Sequence, residues 1–278
     1  MPVRRRSLGS VLLVLATVCS ATVSLGTTGH AADPPQQESV QIAGQSVVLD
    51  PPTLSGQETA DQQVQRIEPL LRGLPYRQFA RDSVVAPVRI FTRYVNDSSG
   101  KHLGHQVHLL FVVHTPLTTF TADDFTSRLL GDSDDSAADS GPPGDVSPES
   151  LRSRGITDSG PNVRYQPFDV KLLDKIQLSG VLRITRHDAD DQQRIDLRLD
   201  DRFDNRWTSL DANDQGGAYA GFQAWLTATA LGDGQSVLIE SRFVMHEPEQ
   251  WFAGSNFLRS KLPLVLQEAA RNLRRKSK

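Results

Sequence analysis

Four histidines crowd one stretch of this chain, "KHLGHQVHLLFVVH", at positions 102, 105, 108 and 114. Imidazole is a common zinc ligand and titrates near neutral pH, so the first question is whether these four can act together. The stretch is apolar enough for a β-strand, on which successive side chains point to opposite faces. On a regular strand His102, His108 and His114 share one face and His105 points away. His108 and His114 lie six residues apart, about 20 Å along a strand, too far to share an ion. His102 meets His108 only if the preceding turn bends back. The stretch therefore predicts surface or strand-end histidines, with no metal ligand, no cofactor and no catalytic residue assigned. His246-Glu247 opens like a zinc helix, but Pro248-Glu249-Gln250 follows, so the second histidine is missing and a proline breaks the helix. No G-x-S-x-G elbow and no phosphate-cradling glycine loop occurs. If a buried histidine serves a catalytic pocket, His108 and His114 are the first candidates.

The ends of the chain predict its compartment. Arg4, Arg5 and Arg6 precede an apolar run from Val11 to Val23, and Gly29-His30-Ala31 supplies a small-residue cleavage site. This is the pattern of a secretory signal peptide over residues 1–31, with a mature start near Ala32 and an exported, periplasmic or secreted, product. The Arg pair leaves the Sec and twin-arginine routes open. Cys19, the single cysteine, lies within that segment. The mature chain then has no disulfide and no thiolate, and must be held together by a core. Roughly 245 residues suffice for one or at most two domains. Loss of three arginines moves the formal charge from −3 to −6, the wrong sign for a nucleic-acid surface.

Residues 32–59, rich in Pro, Gln, Ser and Thr, predict a flexible linker. "ADQQVQRIEPLLR" at 60–72 carries Val64, Ile67, Leu70 and Leu71 at helical spacing, and "LPYRQFARD" suits a second short helix. "VRIFTRYV" and "HQVHLLFVVH" flank a Gly- and Asp-containing turn, as a β-hairpin does. Residues 131–150 hold six acids, no base and almost nothing apolar. They predict a disordered insertion at about 131–160. "GVLRITRHDADDQQRIDLRLDD" is a second hairpin, whose alternation of Ile195, Leu197 and Leu199 with Asp196, Arg198 and Asp200 fits a sheet wet on one side. A third hairpin runs through residues 218–246, turning at 232–234. Ser255 offers a cap for a final helix, in which Leu258, Leu262, Val265 and Ala269 form an apolar stripe interrupted by Pro263.

The order is a weak strand, a helix pair, three hairpins and a long terminal helix. It predicts a single α+β domain over 60–278, with an antiparallel sheet of about seven strands packed on the last helix. This order resembles the START-like or helix-grip superfamily, which includes polyketide-cyclase-like proteins. The paired helices "ADQQVQRIEPLLRGLPYRQF", the last hairpin and "NFLRSKLPLVLQEAARNLRRK" carry the likeness. The resemblance implies a curved sheet and a cavity between sheet and helix for a hydrophobic small molecule or lipid. That cavity would be lined by Phe111, Phe222, Leu226, Phe243, Leu262 and Val265. Small residues at 218, 220, 224 and 228 leave room for a ligand or let the helix pack close. Three functions follow: a non-enzymatic ligand-binding module, a cell-envelope interaction protein with a filled core, or a cyclase- or hydrolase-like enzyme. The basic end "RRKSK" is the candidate for peripheral contact with anionic lipid or envelope polymer.

Overall fold

The computed structural model describes residues 39–120, 145–157, 160–211, 215–232, 234–254 and 256–277. The proposed signal segment, most of the acidic insertion and Ser255 lie outside the described residues. Within them the fold is α+β, a large antiparallel sheet with the C-terminal helix on one face, and not a closed barrel. The sheet has nine strands: β3 (Arg89–Asn96), β4 (His102–Val113), β5 (Val163–Leu172), β6 (Ile176–Asp188), β7 (Gln192–Leu199), β8 (Arg206–Ser209), β9 (Gly216–Ala218), β10 (Phe222–Ala230) and β11 (Val237–His246). Their order is β3-β4-β11-β10-β7-β6-β8-β9, with β5 on the other edge of β6. The three expected hairpins are β3–β4, β6–β7 and β10–β11. The three strands beyond those hairpins are β5, β8 and β9. Pro167 disguised β5, yet β5 pairs with β6 alone, and an edge position tolerates a proline.

The last helix, α4 (Phe257–Lys276), lies against one face of this sheet. Leu258, Leu262, Leu266, Ala270 and Leu273 join the main core, which includes Val107, Leu109 and Phe111 of β4, Phe222 and Leu226 of β10, and Phe243 of β11. The stripe thus follows the 3.6-residue turn to Leu266 and Ala270. Val265 is buried outside that cluster and Ala269 lies at its margin. The helix is continuous through Pro263, and its first hydrogen bond runs from Ser260 N–H to Asn256 O.

The opposite face is covered as well over β4, β10 and β11, whereas on β7 buried Ile195, Leu197 and Leu199 alternate with half-buried Asp196 and exposed Arg198, as expected of a strand wet on one side. β1 (Ser39–Ile42) and β2 (Gln45–Val48) form a separate hairpin whose Val40 and Ile42 pack on Trp225 and Val244. Helices α1 (Ala60–Leu71) and α2 (Tyr76–Phe79) bring Ile67, Leu71 and Phe79 onto Leu110, Val112 and Leu238. Thr59 caps α1 in a reciprocal box with Gln62. Every residue of β10 from Phe222 to Thr229 is accordingly buried.

Residues 39–59 are no flexible linker: Trp225 Nε1 donates to Asp50 O at 3.0 Å. Thr53 also donates through its N–H and Oγ1 to the buried carboxylate of Glu240, at 2.8 and 2.7 Å. Nor do residues 145–157 belong to a disordered insertion. Helix α3 (Pro148–Ser153) is capped by Ser147, and Leu151 and Ile156 pack against Tyr165 and Val181. Those four side chains bury enough apolar surface to fix the end of a segment whose polar beginning suggested disorder.

Candidate functional site at the mouth of the sheet–helix sandwich

The site begins with an irregularity in β4. Val95 of β3 stands opposite Gly104, but the next residue, Asn96, stands opposite His102. One step on β3 therefore spans two on β4, a β-bulge at Leu103 that reverses side-chain alternation. His102 and His105 consequently share a face, which corrects the expectation that His105 points away from His102. Their ring centroids lie 4.9 Å apart. Gly104 permits this. A Cβ there would lie 2.0 Å from the carbonyl oxygen of Met245, so only glycine lets β4 approach β11 at that point.

The third member arrives from β11. Met245 pairs with His105 and His246 with Gly104, and Glu247 N–H then donates to Leu103 O at 2.9 Å. This places Glu247 on the same face as both histidines. Its Oε2 lies 2.8 Å from His102 Nε2 and 2.5 Å from His105 Nε2. Burial of Glu247 works to raise its carboxyl pKa, but the bonds from His105 and then His102 prevail and hold it below the usual range. The acid is ionised at neutral pH, inside a site where His105 and Glu247 are both buried.

Around this triad stand groups from the start of α4 and from an aromatic stack. Tyr94 packs against both histidine rings. Its hydroxyl donates to Asn256 Oδ1 and accepts from Arg259 Nη1, each at 2.9 Å, tying the edge hairpin to the helix. Behind Glu247, His246, Tyr219 and Trp251 stack in turn, with 6.2 and 5.7 Å between centroids. Burial pushes the His246 imidazole down to about 4, so it is neutral at pH 7. The walls enclose a cavity of about 280 Å³ reached by Tyr94, His102, Glu247, Trp251, Asn256 and Arg259. A shallower groove of about 620 Å³ shares Lys101, His102 and Glu247 with it. Two of the lining residues carry a buried polar atom without a partner among the described residues, Nδ1 of His102 and Nε1 of Trp251.

The other histidines do structural work elsewhere. His108 Nε2 lies 2.7 Å from Glu240 Oε1, within the network that fastens Thr53, and His114 Nε2 lies 2.8 Å from Ala80 O. The six residues expected to line a sheet–helix cavity, Phe111, Phe222, Leu226, Phe243, Leu262 and Val265, are all buried, and the first five share the main core. None of them lines the two cavities just described. The basic end is partly internal too. Arg274 is buried and donates to the carbonyl oxygens of Val112, Ala86, Pro87 and Val84, while exposed Arg275 pairs with Glu268. Burial, then Arg271 and Arg81, pushes Arg274 down to about 10, which still leaves it charged at neutral pH.

No family model matches the chain, and no curated protein matches it. The structure is similar to that of CalU16 from Micromonospora echinospora at 6% sequence identity and a TM-score of 0.24, covering 69% of this chain and 93% of that one. A likeness at that score carries no argument, and the account rests on the geometry above. Among the described residues no helix is long and apolar enough to cross a membrane.

Proposed function

We propose that the chain is an exported, non-enzymatic module that binds one small amphipathic molecule in the cavity at the mouth of the sheet–helix sandwich. The observation that carries this reading is that two residues lining the cavity, Trp251 and His102, each hold a buried polar atom, Nε1 and Nδ1, without a partner among the described residues. A buried polar atom without a partner costs about 1–3 kcal/mol, and a ligand that supplies partners recovers it. Indole N–H only donates. His102 Nδ1 accepts when Nε2 carries the proton toward Glu247. The ligand therefore offers an acceptor and a donor, beside a flat apolar part that lies along Tyr94 and Trp251. At about 280 Å³ the cavity sits at the small end of ligand sites. A ring compound with polar substituents suits it better than a long-chain lipid, whose tail would need the space that Phe222, Leu226 and Phe243 fill.

Thermal-shift screening of hydroxylated and carboxylated aromatic compounds tests the reading. Binders should stabilise the parent and lose most of that effect in Trp251→Phe. Hits indifferent to Trp251, or the absence of hits, would count against it. A second reading, an enzyme of the cyclase or hydrolase kind, is favoured by one observation: a buried acid held 2.5 Å from a histidine inside a cavity is the material of acid–base catalysis. Turnover of any bound compound, abolished in Glu247→Gln, would establish it in place of the non-enzymatic reading.

A further inference from the structure

We infer that His102, His105 and Glu247 form a binding site for one divalent first-row transition ion, zinc being the representative. The three donor atoms, two imidazole Nε2 and one carboxylate oxygen, all lie within 4.8 Å of one another. They come from two adjacent strand ends whose backbones are hydrogen-bonded together at Leu103 and Glu247, so their positions are fixed by the sheet and not by a loose loop. Zinc holds such ligands at about 2.0–2.2 Å, which sets neighbouring donors roughly 3.3 Å apart in a tetrahedron. Glu247 Oε2 now sits 2.8 and 2.5 Å from the two nitrogens. Retreat of the carboxylate by less than about 1 Å, with the two rings settling at the same roughly 3.3 Å spacing, opens the centre to the ion.

The donor set also selects the class of ion. Calcium and magnesium require oxygen ligands, whereas two imidazoles and one carboxylate suit zinc and its first-row neighbours. Two neutral rings and one carboxylate leave a bound divalent ion with net positive charge. The cavity at the histidine–glutamate cluster gives the remaining coordination position access to water or to an anionic group. The inference goes beyond the small-molecule reading and stands without it, because the three ligands converge whether or not an organic molecule enters.

The test uses the full chain, dialysed against a chelator and titrated with zinc chloride by calorimetry, with cobalt(II) absorption as a report on coordination. Expected are one zinc per chain, a raised melting temperature and no heat with calcium. His102→Gln should lose stoichiometric zinc. Its ring is partly exposed, so the variant should keep the parental circular dichroism. Glu247→Gln should behave alike if it folds, and His187→Gln, at an exposed ion pair on β6, should bind zinc as the parent does. No zinc heat in the parent, or undiminished zinc binding by folded His102→Gln, would overturn the inference and leave the cluster a hydrogen-bonded triad. Native mass spectrometry of zinc-free protein separates the two claims. An organic adduct on a chain that takes no zinc defeats this inference alone, and zinc on a chain that takes no organic molecule upholds it while defeating the cavity reading.

Discussion

Gly104 is the residue on which the site's geometry turns. It sits in the bulge that brings His102 and His105 to one face, and its missing side chain is what β11 presses against. Gly104→Ala must push the strands apart, because the obstacle is the backbone carbonyl of Met245 and not a flexible side-chain end. Denaturant titration should show a loss of about 1–3 kcal/mol, the usual cost of overpacking. A variant as stable as the parent would mean the two strands are not in such contact. Residue types alone exposed much of this site and misplaced the rest. The histidine cluster was visible, and so was Glu247, inside the false start of a zinc helix. What sequence could not show was the bulge, since alternation by counting assumes a regular strand. Nor could it show that Glu247, more than 140 residues further on, would finish beside the histidines, because that pairing depends on β4 lying next to β11. The unmet atoms of Trp251 and His102 are likewise properties of packing, with no signature in spacing.

At the scale of elements, α4 and the last hairpin were the most legible parts, because a 3.6-residue stripe and a two-residue alternation are strong signals over long segments. Leu262 is 1% exposed within the main core, while Glu268 faces solvent and pairs with Arg275 and Arg271. Leu262→Asp should therefore cost about 3–5 kcal/mol, the price of an unpartnered buried charge. Glu268→Lys should cost less than about 1 kcal/mol, as exposed pairs do. Equal melting temperatures for the two variants would show that the helix does not close the sheet. The elements that escaped sequence reading share one cause: tertiary contacts outweighed local composition. The polar 39–59 segment is held by hydrogen bonds to β10 and β11 and by separated apolar side chains such as Val40, Ile42 and Leu54, and α3 by four apolar side chains. Neither arrangement produces a run of hydrophobic residues for a pattern to detect.

Across the whole molecule, the layers covering both faces of β4, β10 and β11 leave open ground at the strand ends, and the mouth beside the first turn of α4 is where His102, His105, Glu247 and Trp251 come together. Away from the mouth, the buried carboxylate of Asp200 is paired. Burial acts to raise the Asp200 carboxyl, but its bonds to Arg202 outweigh this and lower it. A carboxylate depressed in the folded state lends stability above its unfolded pKa of about 3.9, and that contribution fades as pH falls below it. Urea midpoints should therefore separate the parent from Asp200→Asn at pH 7 and converge toward pH 3. A constant gap at both values would show that Asp200 acts through packing and not through its charge. Occupancy of the mouth by a small molecule is best checked by native mass spectrometry of the protein purified from its own source. One non-covalent organic adduct of a few hundred daltons per chain is expected, released on unfolding and absent from Trp251→Phe. A chain that flies at its bare polypeptide mass, or one carrying the same adduct after Trp251→Phe, would contradict it.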